Sequence, residues 1–356
     1  MEEWANSLFS EIENFDTEMP DFSTPQAYNS SNLGNLYRIE PVMDSNSLTI
    51  VWFLPYAQQQ EGDLPFTLQE SWSLMYHSHI LGHEGEGSLL SSLIKDGLAT
   101  SSSTYVDHVL KTHVNFYVDV QLTEKGVKNY EEVVERIWAQ IRNIKDIEPQ
   151  KYIFEDYQKV SQLRWQFLEK SGYSSYATWL ASQMQKYDES NIENVLKYAV
   201  VVDEFNPELI DQFTNQIYDH NNCNIYLTTQ DNIGKTDLKE KWYGTNFAKH
   251  EFDEVILGKI TETKNYQELT LPNKNKYLPD NVDLLPKNDE WSKDPIKIKD
   301  NSDHVIWYKK DDKFGQPKCQ ITLRIYKKKN DLLEDSNSLK QVYNDIWTDV
   351  YDELLR

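Results

Sequence analysis

Between His113 and Gln121 the chain alternates without a break. Val114, Phe116, Val118 and Val120 hold one set of positions, and His113, Asn115, Tyr117, Asp119 and Gln121 hold the other. Successive side chains of an extended strand point to opposite faces, so this stretch reads as a strand with one apolar face and one polar-aromatic face. The apolar face needs a covering layer. The chain supplies one immediately: Tyr130, Val133, Val134, Ile137, Trp138, Ile141 and Ile144 recur at the spacing of a single helix stripe.

The same reasoning extends in both directions. Leu48–Leu54 (LTIVWFL) is a continuous apolar run and reads as a buried strand. Ala99–Val106 (ATSSSTYV) reads as a strand of small and β-branched residues, and Cys223–Thr229 as a further one. Helices are expected over Leu68–Leu81, Ser88–Lys95, from Pro149 to about Glu169, over Tyr176–Tyr187 and over Ile192–Val202. Another should start at Asn206–Pro207, a side-chain acceptor at the N-cap followed by Pro at the first helical position. Strands in runs separated by groups of helices give an α+β class rather than strict alternation.

The flanks read differently. Trp4, Leu8, Phe9, Ile12 and Phe15 form one stripe of a short helix, followed by a polar linker over Asp16–Asn32. From about Gly234 to Asp303 the composition shifts to Lys, Asn, Asp and Pro, which reads as a long irregular arm, and two strand-like pieces surround KKDDKFGQP within His304–Tyr326. Leu339, Val342, Tyr343, Ile346, Val350 and Leu354 make a last helical stripe with no Gly or Pro stop signal after it. Apolar helix faces at both ends with nothing to cover them lead to the expectation that the chain is cut from a longer one.

Charge removes two classes of partner. Thirty-six basic against fifty-eight acidic residues leave a net charge of −22, which repels nucleic acid and anionic lipid. No run of about 18 apolar residues is present, and the N-terminus is acidic where a signal peptide is basic. Two distant cysteines, Cys223 and Cys319, build neither a disulfide framework nor a thiolate zinc site and fit a reducing compartment. A cytoplasmic location is expected.

Chemistry concentrates in His79–Gly87, HILGHEGEG. An inverted zinc motif, H-x-x-E-H, would need Glu at Gly82, and the forward motif, H-E-x-x-H, would need His at Gly87. His79 and His83 are four apart, as two ligands on one helix face must be. A third ligand and a general base are not supplied in register, and His77 faces elsewhere. Two readings stand side by side: an atypical metal site using His79, His83 and Glu84, or histidines satisfied by hydrogen bonds at a helix end. Glu84 in a Gly-lined turn is suited to gripping a cationic group, or is simply a solvated carboxylate. Neither a phosphate loop nor a G-x-S-x-G elbow is present.

Several separate motifs occur in one unbroken order: LFSEIENF (8–15), PVMDSNSL (41–48), GHEGEGSLLSSLIKDG (82–97), LTEKG (122–126), KWYGT (241–245) and WYKKDDKFGQPK (307–318). On these the chain resembles the insulinase family of zinc metallopeptidases from about Leu8 to Ile325. The resemblance implies four homologous α+β domains in two bowl-like halves around a chamber, each with an antiparallel sheet covered by helices in two layers. It implies residues 1–40 as the end of a preceding catalytic domain and a linker, 41–230 as the second domain, 231–303 as a connecting arm and 304–356 as the opening of the third. Zinc and its H-x-x-E-H motif would then belong to the first domain, upstream of Met1, leaving no catalytic residue, metal or cofactor in this chain. Gly82 would mark a non-catalytic copy of the motif.

The resemblance further implies that the second domain anchors substrate. The peptide's free amine would lie at the Gly-His-Glu turn, with Gly82 and Glu84 as the anchor and His79 close by. The peptide backbone would pair with an edge strand formed by Ser102, Ser103, Thr104, Tyr105 and Val106. Thr104 and Tyr105 depart from the paired glycines of relatives. The expected partners are peptides and the remaining domains of the peptidase. The alternative functions are a standalone peptide-binding or assembly subunit working with a separate zinc-bearing chain, and a metal-dependent hydrolase built on His79 and His83.

Overall fold

The structure, a computed structural model, describes residues 2–13, 15–18, 28, 29, 31–55, 68–107, 113–169, 171–184, 195–198, 200–284, 294–310, 315–324, 342, 343, 346 and 347. In chain order its elements are α1 (Glu2–Phe9), β1 (Asn35–Ile39), β2 (Ser47–Pro55), α2 (Leu68–Leu81), α3 (Leu89–Lys95), β3 (Ala99–Asp107), β4 (His113–Leu122), α4 (Glu124–Lys128), α5 (Tyr130–Asp146) and α6 (Lys151–Gln166). After these come α7 (Tyr173–Met184), α8 (Val195–Tyr198), α9 (Pro207–Tyr218), β5 (Cys223–Thr228), β6 (Leu238–Lys239), β7 (Asn246–Glu251), α10 (Glu254–Thr261), β8 (Ile296–Asp300) and β9 (Val305–Tyr308). Two compact units result, Met1–Leu278 and Pro279–Arg356.

The first unit is built on a seven-stranded sheet in the order β3-β4-β2-β5-β1-β7-β6. Every neighbouring pair is antiparallel except β1 with β5, which is parallel. Register sorts the side chains. Leu48, Ile50, Trp52 and Leu54 of β2 lie opposite Val120, Val118, Phe116 and Val114 of β4, and all eight are fully buried in one core with Trp138, Ile137 and Val133 of α5. Trp52 meets Trp138 at 5.5 Å between ring centroids. The alternate residues form the second face, where Tyr105 stacks on Tyr117, Tyr37 on Tyr226, and Tyr28 on Phe53. A recess of about 320 Å³ lies there among Tyr28, Val51, Phe53, Tyr117 and Tyr226. The α+β arrangement of a largely antiparallel sheet under helices is therefore the one expected.

Caps fix the helix starts. Ser88, Thr123, Asn206 and Asp253 each accept a hydrogen bond from the backbone N–H three residues on, satisfying one orphan donor per helix. Gly126 is required by a crossing: a Cβ there would collide with the Leu98 carbonyl oxygen. Asp96, after the end of α3, pairs with the buried Arg136 of α5.

Several elements depart from the expectation: β1, and β6, β7, α10 and β8 within the stretch expected to be irregular. β1 is not evident from the sequence because NLYRI carries a charged residue, Arg38, next to its end; that guanidinium donates to the Tyr130 hydroxyl at 3.0 Å and lies over its ring, so the charge is satisfied beside the core. β7 and α10 occupy part of the stretch expected to be irregular. Ala248 is buried on β7, and α10 packs on α5 through Ile256 and Ile260, with Lys259 donating to the buried Glu135 at 2.7 Å. Residues 231–278 thus lie in the first compact unit.

In the second unit β8 and β9 form a two-stranded ribbon with one register shift. The strand-like piece expected after KKDDKFGQP is not a strand over 318–324. Leu339, Val350 and Leu354 of the last helical stripe, and the ends of the helices expected to reach Tyr187 and to start at Ile192, lie outside the described residues, whereas Val342, Tyr343 and Ile346 are helical and exposed. The apolar stripe of α1 and the residues after it (Trp4, Leu8, Phe9, Ile12 and Phe15) is exposed. Cys223 is a buried free thiol and Cys319 an exposed one. Among the described residues no helix is long and apolar enough to cross a membrane.

Candidate functional site

The last turn of α2 and the turn after it are bonded to the middle of β3. Thr104 Oγ1 donates to the Ser78 carbonyl at 2.7 Å, the two hydroxyls lie 2.8 Å apart, and Ser78 Oγ reaches the Thr104 carbonyl at 3.3 Å. The Gly82 N–H still donates to Ser78 O, at 2.9 Å, as the helix ends. A Cβ on Gly82 would stand 2.6 Å from Thr104 Oγ1 and 2.9 Å from Ser78 O. Glycine is thus demanded by the close approach of helix end and strand.

Beyond Gly82 the chain turns outward. Glu84, Gly85 and Glu86 are exposed before Ser88 caps α3. His83 folds over Gly85, where a Cβ would lie 2.8 Å from its Nε2. His79 and His83 have ring centroids 6.1 Å apart, and His79 also neighbours Tyr157. Burial holds both imidazoles below the usual range; the charge of His83 adds to this at His79 while Asp156 opposes it, and Glu84 opposes it at His83. Both rings are therefore neutral near pH 7. His77 is fully buried, its Nδ1 3.0 Å from the Ser73 carbonyl and its Nε2 2.8 Å from Thr214 Oγ1, and burial lowers it to about 4.

A zinc ion needs at least three protein donors around one point. Among the described residues no group of three or more His, Cys, Asp or Glu side chains is placed to hold a metal. His77 points inward, and the position between the paired imidazoles is Gly82. The donor set does not fit zinc, and no step through a metal is assigned to these residues.

The second half of the site is β3, the terminal strand of the sheet. Ser102, Ser103, Thr104, Tyr105 and Val106 all lie on it, opposite Val120, Asp119, Val118, Tyr117 and Phe116. Ser102 Oγ is buried with no hydrogen-bond partner among the described residues. Tyr105 is 47% exposed on the side away from the core. Of the candidate residues, Gly82 and Thr104 are brought into direct contact, Glu84 stands at the exposed tip of the turn, and His79 is partly buried beside it. Sequence reasoning passed over Ser78, whose signal was its position four before Gly82. It also passed over Tyr117 and Asp119, visible only as the polar half of the β4 alternation.

Residues 1–161 match the family model described as the peptidase M16 inactive domain, and residues 165–356 match that of the middle or third domain of peptidase M16. The boundary falls inside the first compact unit, since β5 lies in the second range and pairs with β2 and β1 of the first. The chain is 27% identical over 319 residues to human insulin-degrading enzyme, covering 90% of this chain and 30% of that protein. It is 28% identical over 333 residues to nardilysin of Pongo abelii, covering 91% and 28%. The A-factor-processing enzyme of Saccharomyces cerevisiae is 28% identical over 328 residues, covering 91% and 30%. The chain thus spans about 30% of the length of these relatives. The crystal structure of pitrilysin shares the fold with a TM-score of 0.72 at 17% identity, over 87% of this chain and 32% of that one. The chain belongs to the peptidase M16, or insulinase, family, and carries its inactive domain together with its middle domain.

Proposed function

We propose that this segment anchors peptide substrates for a zinc metallopeptidase of the insulinase family and does not itself cut them. The peptide's free amine sits at the Gly82–Glu84 turn, held by the Glu84 carboxylate, and its backbone extends the sheet from β3 by main-chain hydrogen bonds. Strand addition of this kind accepts varied sequences because the backbone supplies the affinity. The cleavage chemistry, with its zinc, resides in a domain other than these two.

The observation that carries this reading is the joining of turn and strand: Ser78, Gly82 and Thr104 hold the exposed Glu84 turn against a terminal strand of the sheet. Thr104 and Tyr105 in place of glycines are compatible with it, because strand pairing uses main-chain groups and the Thr104 hydroxyl is turned to α2. The metal-dependent alternative built on His79 and His83 is disfavoured by the lack of a third donor among the described residues.

The test is a pair of peptides of one sequence, one with a free amine and one acetylated, titrated against the 356-residue chain and its Glu84→Gln variant. The unaltered chain should favour the free amine about tenfold, the scale of one charge-assisted hydrogen bond at an exposed site, and Glu84→Gln should remove most of that preference. Equal weakening of both peptides would defeat the anchor. Zinc-dependent turnover by the purified chain, lost on substituting His79 or His83, would defeat the division of labour.

A further inference from the structure

We propose that the β3–β4 edge selects peptides carrying a basic side chain, arginine above all, at strand positions that face Tyr105, with Asp107 and Asp119 as the complementary charges. This rests on the strand-addition reading above and names the substrate class for the same site.

The alternate residues of β3 divide between two environments. Ser102, Thr104 and Val106 lie opposite the buried Val120, Val118 and Phe116, on the helix-covered side. Ser103, Tyr105 and Asp107 lie opposite Asp119, Tyr117 and Asn115, on the open side. There Tyr105 and Tyr117 are stacked at 4.4 Å and 12°, and Tyr105 remains about half exposed. Asn115 donates from Nδ2 to the Tyr117 hydroxyl at 3.2 Å, which leaves its Oδ1 buried and without a partner among the described residues. Asp119 accepts from Thr49 Oγ1 at 3.3 Å and from the Val120 backbone N–H.

Acceptors dominate this patch: two stacked tyrosine rings, two carboxylates and one buried amide oxygen. The carboxylates act on the phenol, since Asp119 and Asp107 both push Tyr105 upward, behind the larger effect of burial. Among the described residues no cation lies over either ring and neither carboxylate has an ion pair. An apolar occupant would strip water from two carboxylates with no compensation. A guanidinium is planar, stacks on aromatic faces and carries five donors.

Strand geometry says where it must come from. A peptide paired to β3 sends the side chain opposite Tyr105, and those two residues to either side, to the open face; the residues between go to the helix side. The preference should therefore alternate along the peptide with a period of two. Long-range attraction to a chain of net charge −22 carries no such period, which separates the two effects.

The experiment scans a single arginine, citrulline or leucine through a free-amine peptide of otherwise small polar residues, each peptide titrated against the full chain near physiological salt. Arginine should bind about fivefold tighter than citrulline or leucine at alternate positions, the size of one exposed cation–π contact with a screened ion pair, and show little advantage between them. The alternation should fall to about twofold, its cation–π part, in the Asp107→Asn/Asp119→Asn chain, and Asp107→Asn alone should weaken it if the double variant does not fold. An equal arginine advantage at every position, a preference for leucine, or alternation undiminished by the substitutions would overturn the proposal. Acetylated versions of the same peptides separate it from the anchor: alternation without amine preference removes the anchor alone, and amine preference without alternation removes this proposal alone. Failure of the unaltered chain to bind any peptide overturns both.

Discussion

The two faces of the same strands are built to different rules. On one, Leu48, Ile50, Trp52 and Leu54 meet Val114, Phe116, Val118 and Val120, and every one is sealed under α5 and its neighbours. On the other, one residue away along each strand, stand Tyr37, Thr49, Asn115, Tyr117, Asp119 and Tyr226, stacked and hydrogen-bonded but open to solvent in part. The first face is shaped by burial, which is non-directional and tolerates any close-packed apolar set. The second is shaped by ring faces and carboxylates, which are directional and gain most when a partner arrives. A period of two lets one strand serve both ends.

Removing rings separates the faces most sharply. Trp52→Ala or Trp138→Ala should each cost about 3–5 kcal/mol, the range for deleting a fully buried aromatic side chain, while Tyr105→Ser should cost about 1 kcal/mol or less. Urea unfolding of the three variants reads this directly, and comparable losses on both faces would erase the distinction.

Acid should act through the helix side. His77 is held at about 4 by burial, below its ordinary 6.5. The unfolded chain takes up that proton as pH falls through about 6.5, and the folded chain does so only near 4. Stability is therefore lost on acidification across this window, by about 2 kcal/mol at pH 5 and about 3 kcal/mol near pH 4. His79 and His83 are lowered as well and add in the same direction. His77→Gln should flatten the fall between pH 7.5 and pH 5, and an unchanged slope would mean the ring is not sealed.

Where helix end and strand touch, a smaller effect is expected. Gly82→Ala should cost about 1–3 kcal/mol by overpacking against Thr104 and Ser78. Thr104→Ala should recover part of it, so that the pair is not additive. Additive losses would place the strain elsewhere. Smallest of all, Glu84→Gln should move stability by no more than about 0.5 kcal/mol, as an exposed polar substitution does, even though it changes peptide selectivity.

Much of this was legible in the sequence, and unevenly so. β4 and α5 could be read residue by residue because burial imposes a strict period on Val114–Val120 and Tyr130–Ile144. The Asn206–Pro207 start of α9 followed from cap chemistry alone. β1 and β7 could not be read, because their partners are distant in sequence: Arg38 is acceptable only beside Tyr130, and Ala248 is buried only because β1 lies against it. At the site, the interruption of the H-x-x-E-H pattern by Gly82 was visible in the sequence. That Gly82 is also a packing position was not, since nothing local announces Thr104 above it.

Amide hydrogen exchange along β3, with and without saturating free-amine peptide, tests the central claim most directly. If the peptide adds a strand to this edge, alternate amides within Ser102–Val106 should slow markedly on binding, and acetylated peptide at the same concentration should protect them less. Peptide bound at saturation with exchange across Ser102–Val106 unchanged would contradict the account.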